Sequence, residues 1–90
     1  MTSNMIIIIP PGETIKEQLN QQHISLGEAA KKMKMNEAEF NKFLKGEIDL
    51  TDKDAVGLER ILGIPAVFWI NLEKMYRQQL SEITKNDSFN

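Results

Sequence analysis

The chain has 90 residues, 41% of them hydrophobic and 27% charged, with a net charge of −2 and no cysteine. That describes one packed domain with an ordinary core; it excludes disulfide staples and thiolate metal sites, and it lacks the basic excess usual in nucleic-acid binders. The charge is nonetheless segregated: residues 24–46 hold five lysines against three glutamates, a net of +2, and residues 47–62 hold five acids against Lys53 and Arg60, a net of −3.

The run "MIIIIPP" opens the pattern. Its apolar core extends only from Met5 to Ile9, short of the ~18 residues a membrane span needs, and no cation precedes it as in a secretory signal. A cytoplasmic location is expected. Four isoleucines, Ile6, Ile7, Ile8 and Ile9, are stiff at χ1 and favour extended backbone, so residues 5–9 predict a short strand. Either it lies on the domain's own surface, or its open edge pairs with another chain or a further segment. Pro10 and Pro11 bar a helix from running through, which predicts an extended arm over residues 1–12.

From residue 13 the pattern is helical. "ETIKEQLNQQ" sets Ile15 and Leu19 on one face, with Glu13 and Glu17 near the positive helix end. His23, the single histidine, falls at its end and reads as structural. In "SLGEAAKKM", Ser25 and Glu28 have the spacing of a capping box, and the helix should end near Met33 with the turn at Lys34 and Met35. "NEAEFNKFLKG" repeats the device: Asn36 as N-cap, Glu39 as its partner, Gly46 as terminator. A fourth helix is expected from Thr51 to Gly63, and Pro65 should open a fifth reaching Ile83. Residues 13–83 thus form the domain, and 84–90, "TKNDSFN", a polar tail or the start of a linker.

The second and third helices meet the demands of a helix-turn-helix. Ala30, with Ala29 beside it, allows a close crossing, and Phe40, Phe43 and Leu44 give the third helix an inner apolar face. Lys34 is the uncomfortable element, since a non-glycine residue in a left-handed turn costs about 1–2 kcal/mol. In the fifth helix, Phe68, Trp69 and Leu72 are expected to close the core. Tyr76, Leu80 and Ile83 are left to meet a second protomer or a downstream domain.

The stretch from Pro10 to about Leu80 resembles the HigA-type antitoxins, a branch of the Xre/Cro-like helix-turn-helix family. "PPGETIKEQL" looks like that group's entry into its first helix, and "SLGEAAKKMKMNEAEFNKFLKGE" like its helix-turn-helix. "LERILGIPAVFWINLEKMYRQQL" looks like its closing signature, in which the Gly-x-Pro step followed by Phe68-Trp69 and Asn71-Leu72 is the most specific part. The chain is also similar to the N-terminal part of longer HigA-like regulators, some of which carry a metallopeptidase-like domain; no "HExxH" zinc helix occurs in these 90 residues.

The resemblance implies an all-α, five-helix Xre/lambda-repressor-like domain (here with the short N-terminal strand), a homodimer, and repression of a toxin–antitoxin operon by binding its operator DNA. Carried over, the DNA-facing positions fall on Leu26 and Gly27, then on Glu37, Ala38, Glu39, Asn41 and Lys42, with Lys45 near the backbone. Lys31 and Lys32 offer further phosphate contacts. The partner surface falls on Ile6, Ile7, Ile8, Ile9, Tyr76, Leu80 and Ile83, for a second protomer or a cognate toxin. Two departures stand out: Leu26 where relatives often carry glutamine, and glutamates where they carry serine, threonine or arginine.

Glu37 and Glu39 suit the helix, each contributing about 0.3–1 kcal/mol at its positive end. Against DNA they act the other way, since a like charge ~6 Å from a phosphate costs somewhat under about 1 kcal/mol in water. The alternative function is therefore an interaction module that keeps the fold and binds DNA weakly or not at all. No cofactor, metal or catalytic constellation is expected: one histidine, no cysteine, no glycine-rich phosphate loop and no convergent acid pair exclude an enzyme reading.

Overall fold

The computed structural model describes the backbone of residues 8–87, with side chains through Ile83. Its elements are α1 (Pro11–Gln21), α2 (Leu26–Lys32), α3 (Glu37–Leu44), α4 (Asp52–Leu62) and α5 (Ala66–Asp87). No strand occurs among the described residues. Ile8 and Ile9 belong to no regular element, and Ile9 is 58% exposed. Residues 5–7 of the expected strand lie outside the described residues.

The helix boundaries correct two expectations. The arm stops at Pro10, not at residue 12, because Pro10 adopts the extended conformation (φ −70°, ψ 157°) required before a proline and Pro11 begins α1. A proline at the first helical position has no amide to leave unpaired, so the second proline starts the helix instead of blocking it. At the other end, α5 continues four residues past Ile83, through a stretch with no proline or glycine to stop it. Pro65 lies just before that helix and caps it through its carbonyl, which accepts from the Phe68 amide at 3.0 Å.

Capping follows the local spacing, with one exception. Asn36 Oδ1 accepts from the Glu39 amide at 2.8 Å while Glu39 Oε1 accepts from the Asn36 amide at 3.1 Å. Thr51 and Asp54 form the same reciprocal pair at 3.0 and 3.1 Å. Ser25 forms only half of the expected box: its hydroxyl accepts from the Glu28 amide, but the Glu28 carboxylate lies 3.6 Å from Lys32 Nζ. A cation one turn along competes for the carboxylate and takes it.

Three successive helices end the same way. His23, Lys34 and Gly46 adopt left-handed backbone (φ 60°, 61° and 81°), and the residue after each donates its amide back to Leu19, Ala30 and Lys42, respectively. These paired bonds are Schellman motifs, which satisfy carbonyls that the helix end leaves free. Glycine accepts that conformation at no cost, whereas His23 and Lys34 pay for it. Lys34→Gly should therefore raise stability by about 1 kcal/mol, read as a higher denaturant midpoint at unchanged slope.

The core joins Ile15 and Leu19 of α1, Ala29 and Ala30 of α2, Phe40, Phe43 and Leu44 of α3, Leu50, Ala55, Leu58 and Leu62 around α4, and Trp69 of α5. Trp69 is fully buried, and its indole N–H donates to the Ile64 carbonyl at 3.2 Å, so the buried donor is satisfied. Phe68 packs edge-on against it at 5.0 Å between centroids but remains 40% exposed, so it covers the core without entering it. Gln22 fastens the end of α1 to the end of α4 by donating to the Leu62 carbonyl at 3.0 Å.

Candidate nucleic-acid interface

The pair α2–α3 has the inner face that a helix-turn-helix requires. Ala29 and Ala30 are each 2% exposed, and with no side chain beyond Cβ they let α3 cross α2 closely. Phe40 and Phe43 stack on the inner side of α3, centroids 6.0 Å apart. Helical spacing then turns Glu37, Ala38, Asn41, Lys42 and Lys45 outward, and all five are exposed. Glu39 is also exposed, but its carboxylate is turned back onto the Asn36 amide.

The N-terminal turns of α2 and α3 meet at a shallow depression of about 150 Å³, bounded by Leu26, Gly27, Glu37, Phe40 and Asn41. A Cβ built on Gly27 would lie 3.8 Å from Glu37 Oε2, so the glycine brings α2 close to that carboxylate. Leu26 stands 45% exposed at the rim, an apolar residue where a hydrogen-bonding one would reach a phosphate. Lys31, Lys42 and Lys45 form no ion pair among the described residues, which leaves their ammonium groups open to an anion.

Two arrangements were not foreseen from sequence. Lys32 and Lys34, from the end of α2 and its turn, share a groove of about 490 Å³ with Lys53 and Arg60 of α4, over Met33 and Met35. Lys53 and Arg60 lie within the acidic segment of the chain, yet folding sets them, with Asp54, against the lysines of α2 and its turn. The second arrangement is a clasp from α5. Arg77 Nη2 donates to the carbonyls of Gly46 (2.9 Å) and Ile48 (3.3 Å) and lies 3.3 Å from Asp49 Oδ1. Its Nε donates to Glu73 Oε2 at 2.8 Å, and the same oxygen accepts from the Leu50 amide at 3.1 Å. Burial opposes the charge on Arg77, yet the Glu73 hydrogen bond and the charges of Glu73 and Asp49 hold its pKa above the usual value. Glu73 and Arg77 have the i, i+4 spacing of a helical ion pair, a signal visible in sequence; the loop they hold is not.

The expected partner surface divides. Ile6 and Ile7 lie outside the described residues; Ile8 is half-buried and Ile9 exposed. Tyr76 is buried within its own chain, its ring against Gly46 and under the Arg77 guanidinium at 4.9 Å, in space that a side chain on Gly46 would occupy. Leu80 and Ile83 are half-buried. The most exposed apolar groups of α5 are Val67 (61%) and Met75 (55%). His23 is exposed, no group of three or more metal-ligating side chains occurs among the described residues, and none of their helices is long and apolar enough to cross a membrane.

No family model matches the chain. It is 30% identical over 74 residues to the uncharacterized HTH-type transcriptional regulator YddM of Escherichia coli (strain K12), covering 82% of this chain and 79% of the relative. Its fold is that of the Pseudomonas aeruginosa antitoxin HigA, solved with the higBA promoter, at a TM-score of 0.78 and 24% identity over 93% of this chain and 92% of that one. With the helix-turn-helix geometry of α2 and α3, the 30% identity to the Escherichia coli regulator shows that the chain belongs to the helix-turn-helix family of transcriptional regulators.

Proposed function

We propose that this protein is a HigA-like antitoxin that binds operator DNA as a homodimer and represses its own toxin–antitoxin operon in the cytoplasm. The observation that carries the reading is the outward placement of Asn41 and Lys42 on a helix anchored from beneath by Phe40, Phe43 and Leu44. Asn41 offers the amide that pairs with adenine in the major groove, and Glu37 can accept from cytosine N4. Lys42, Lys45, Lys31 and Gly27 stand where a backbone is met, Ala38 leaves room for a thymine methyl, and Glu39 holds the helix start. Leu80 and Ile83, with the isoleucines from Ile6 to Ile9, supply the surface for the second protomer or the toxin.

With Glu37 on the DNA face, a single half-site is weak, so affinity depends on two half-sites held by a dimer. Titration of a duplex from upstream of the protein's own coding region should show tight binding at about 50 mM salt that falls steeply by about 200 mM. A protein that sediments as a dimer and leaves the duplex free at the lower salt would reject this function. The exposed Leu26, Val67 and Met75 favour one second reading, an interaction module that has lost the DNA contact, and that same outcome would support it.

A further inference from the structure

The clasp of Arg77 and Glu73 grips a segment that begins one residue after Lys45. Three main-chain groups there, the carbonyls of Gly46 and Ile48 and the amide of Leu50, are held by these two side chains of α5. Tyr76 fills the space beside Gly46 from the same helix. Lys45, Glu47 and Ile48 are exposed, while the Asp49 carboxylate reaches back to Arg77, so the loop is fixed on its inner side and open on its outer side. Its other main-chain bonds, from Gly46 to Phe43 and from Glu47 to Lys42, tie it only to the end of α3. Apart from Leu50, which is buried in the core at its far end, the loop is held between α3 and α4 by α5, an element that itself offers no residue to the outward side of α3 described above.

We propose that Arg77 and Glu73 are positioning residues for the DNA contact: from α5 they order the loop that follows the recognition helix and so present Lys45 to a backbone phosphate already in place. The inference rests on the DNA-binding reading and deepens it. Lys45 is the C-cap of α3, its amide bonded to the Asn41 carbonyl at 3.1 Å. A helix end that must be ordered at the moment of binding loses affinity to that ordering, whereas one pinned beforehand through the neighbouring Gly46 carbonyl does not. The planar fork of arginine suits the task, because one guanidinium reaches two carbonyls and a carboxylate simultaneously.

The test is a double-mutant cycle on the duplex from upstream of the protein's own coding region, read by fluorescence anisotropy at about 100 mM salt and well below the melting temperature. Arg77→Met should bind about 8-fold more weakly per protomer, hence about 60-fold for the dimer, with a salt slope smaller by about one per protomer. Lys45→Ala should show the same loss, and the double variant should bind no more weakly than the weaker single one. In the DNA-free protein, amide exchange at Ile48 and Leu50 should speed up in Arg77→Met while α3 stays protected. Should Arg77→Met fail to fold, Glu73→Gln takes its place; it keeps an acceptor for the Leu50 amide, removes the charge partner, and should shift affinity the same way. Wild-type affinity in the folded variant, or losses that multiply in the double variant, would overturn the proposal while leaving the DNA-binding function standing. A folded wild-type dimer that ignores the duplex would overturn both.

Discussion

Gly12→Ala should destabilise the domain by about 3 kcal/mol or more. For a chain of this length that is a fall in Tm of at least about 12 °C. Gly12 is buried in the first turn of α1, and a Cβ there would collide with the main chain of Leu44 at the end of α3, its carbonyl oxygen above all. A main-chain obstacle inside a core contact cannot swing aside, so one helix must be pushed off the other. Helix propensity argues the opposite sign, since alanine is favoured over glycine in a helix by about 1 kcal/mol. The two effects are separable with Gly57→Ala in α4, where the new methyl would meet only the flexible thioether of Met33 at 3.1 Å. That variant should lie far closer to wild type in a thermal or denaturant melt. A Gly12→Ala protein as stable as wild type would mean that α1 does not touch α3 at Leu44.

Lys42→Ala should weaken operator binding by about 8-fold per protomer at 0.1 M salt, hence about 60-fold for a two-site dimer. The size follows from counterion release. Each phosphate neutralised contributes a factor of about the salt concentration to the power −0.9, and the mutation removes one such contact from each half-site. Lys42 is exposed on the outer face of α3, forms no ion pair among the described residues, and makes no contact with the core. Its loss should therefore leave the melting temperature within the range of ordinary surface substitutions, about 0.5 kcal/mol. The diagnostic quantity is the slope of log affinity against log salt, which should become shallower by about 1.8 for the dimer. A variant with reduced affinity but an unchanged slope would place Lys42 away from the phosphates, and the interface would have to be moved off this face of α3.

Both results depend on how α3 is seated, and much of that was legible in the residues. The Asn36–Glu39 spacing, Gly46, Gly63 and the left-handed turn at Lys34 are legible because each involves partners within about five positions in the chain. The same locality makes the outward face of α3 readable. Once Phe40, Phe43 and Leu44 are placed inside, helical geometry leaves Asn41 and Lys42 no other direction. The start of α1 was misplaced for a local reason as well, since Pro11 can either bar a helix or begin one and the pattern alone does not choose.

Hydrogen bonds between near neighbours and a 3.6-residue period settle the number and order of the helices, most of their caps, and which side of α3 faces outward. Packing alone brings Arg77 to Gly46, 31 positions away, and the Leu50 amide to Glu73, 23 positions away. The same holds for Gly12 against Leu44, for Tyr76 turned inward, and for the joining of Lys53 and Arg60 to the lysines of the helix-turn-helix. Those contacts depend on how whole helices pack, and packing is set by the shapes of side chains far apart in the chain, for which periodicity carries no signal.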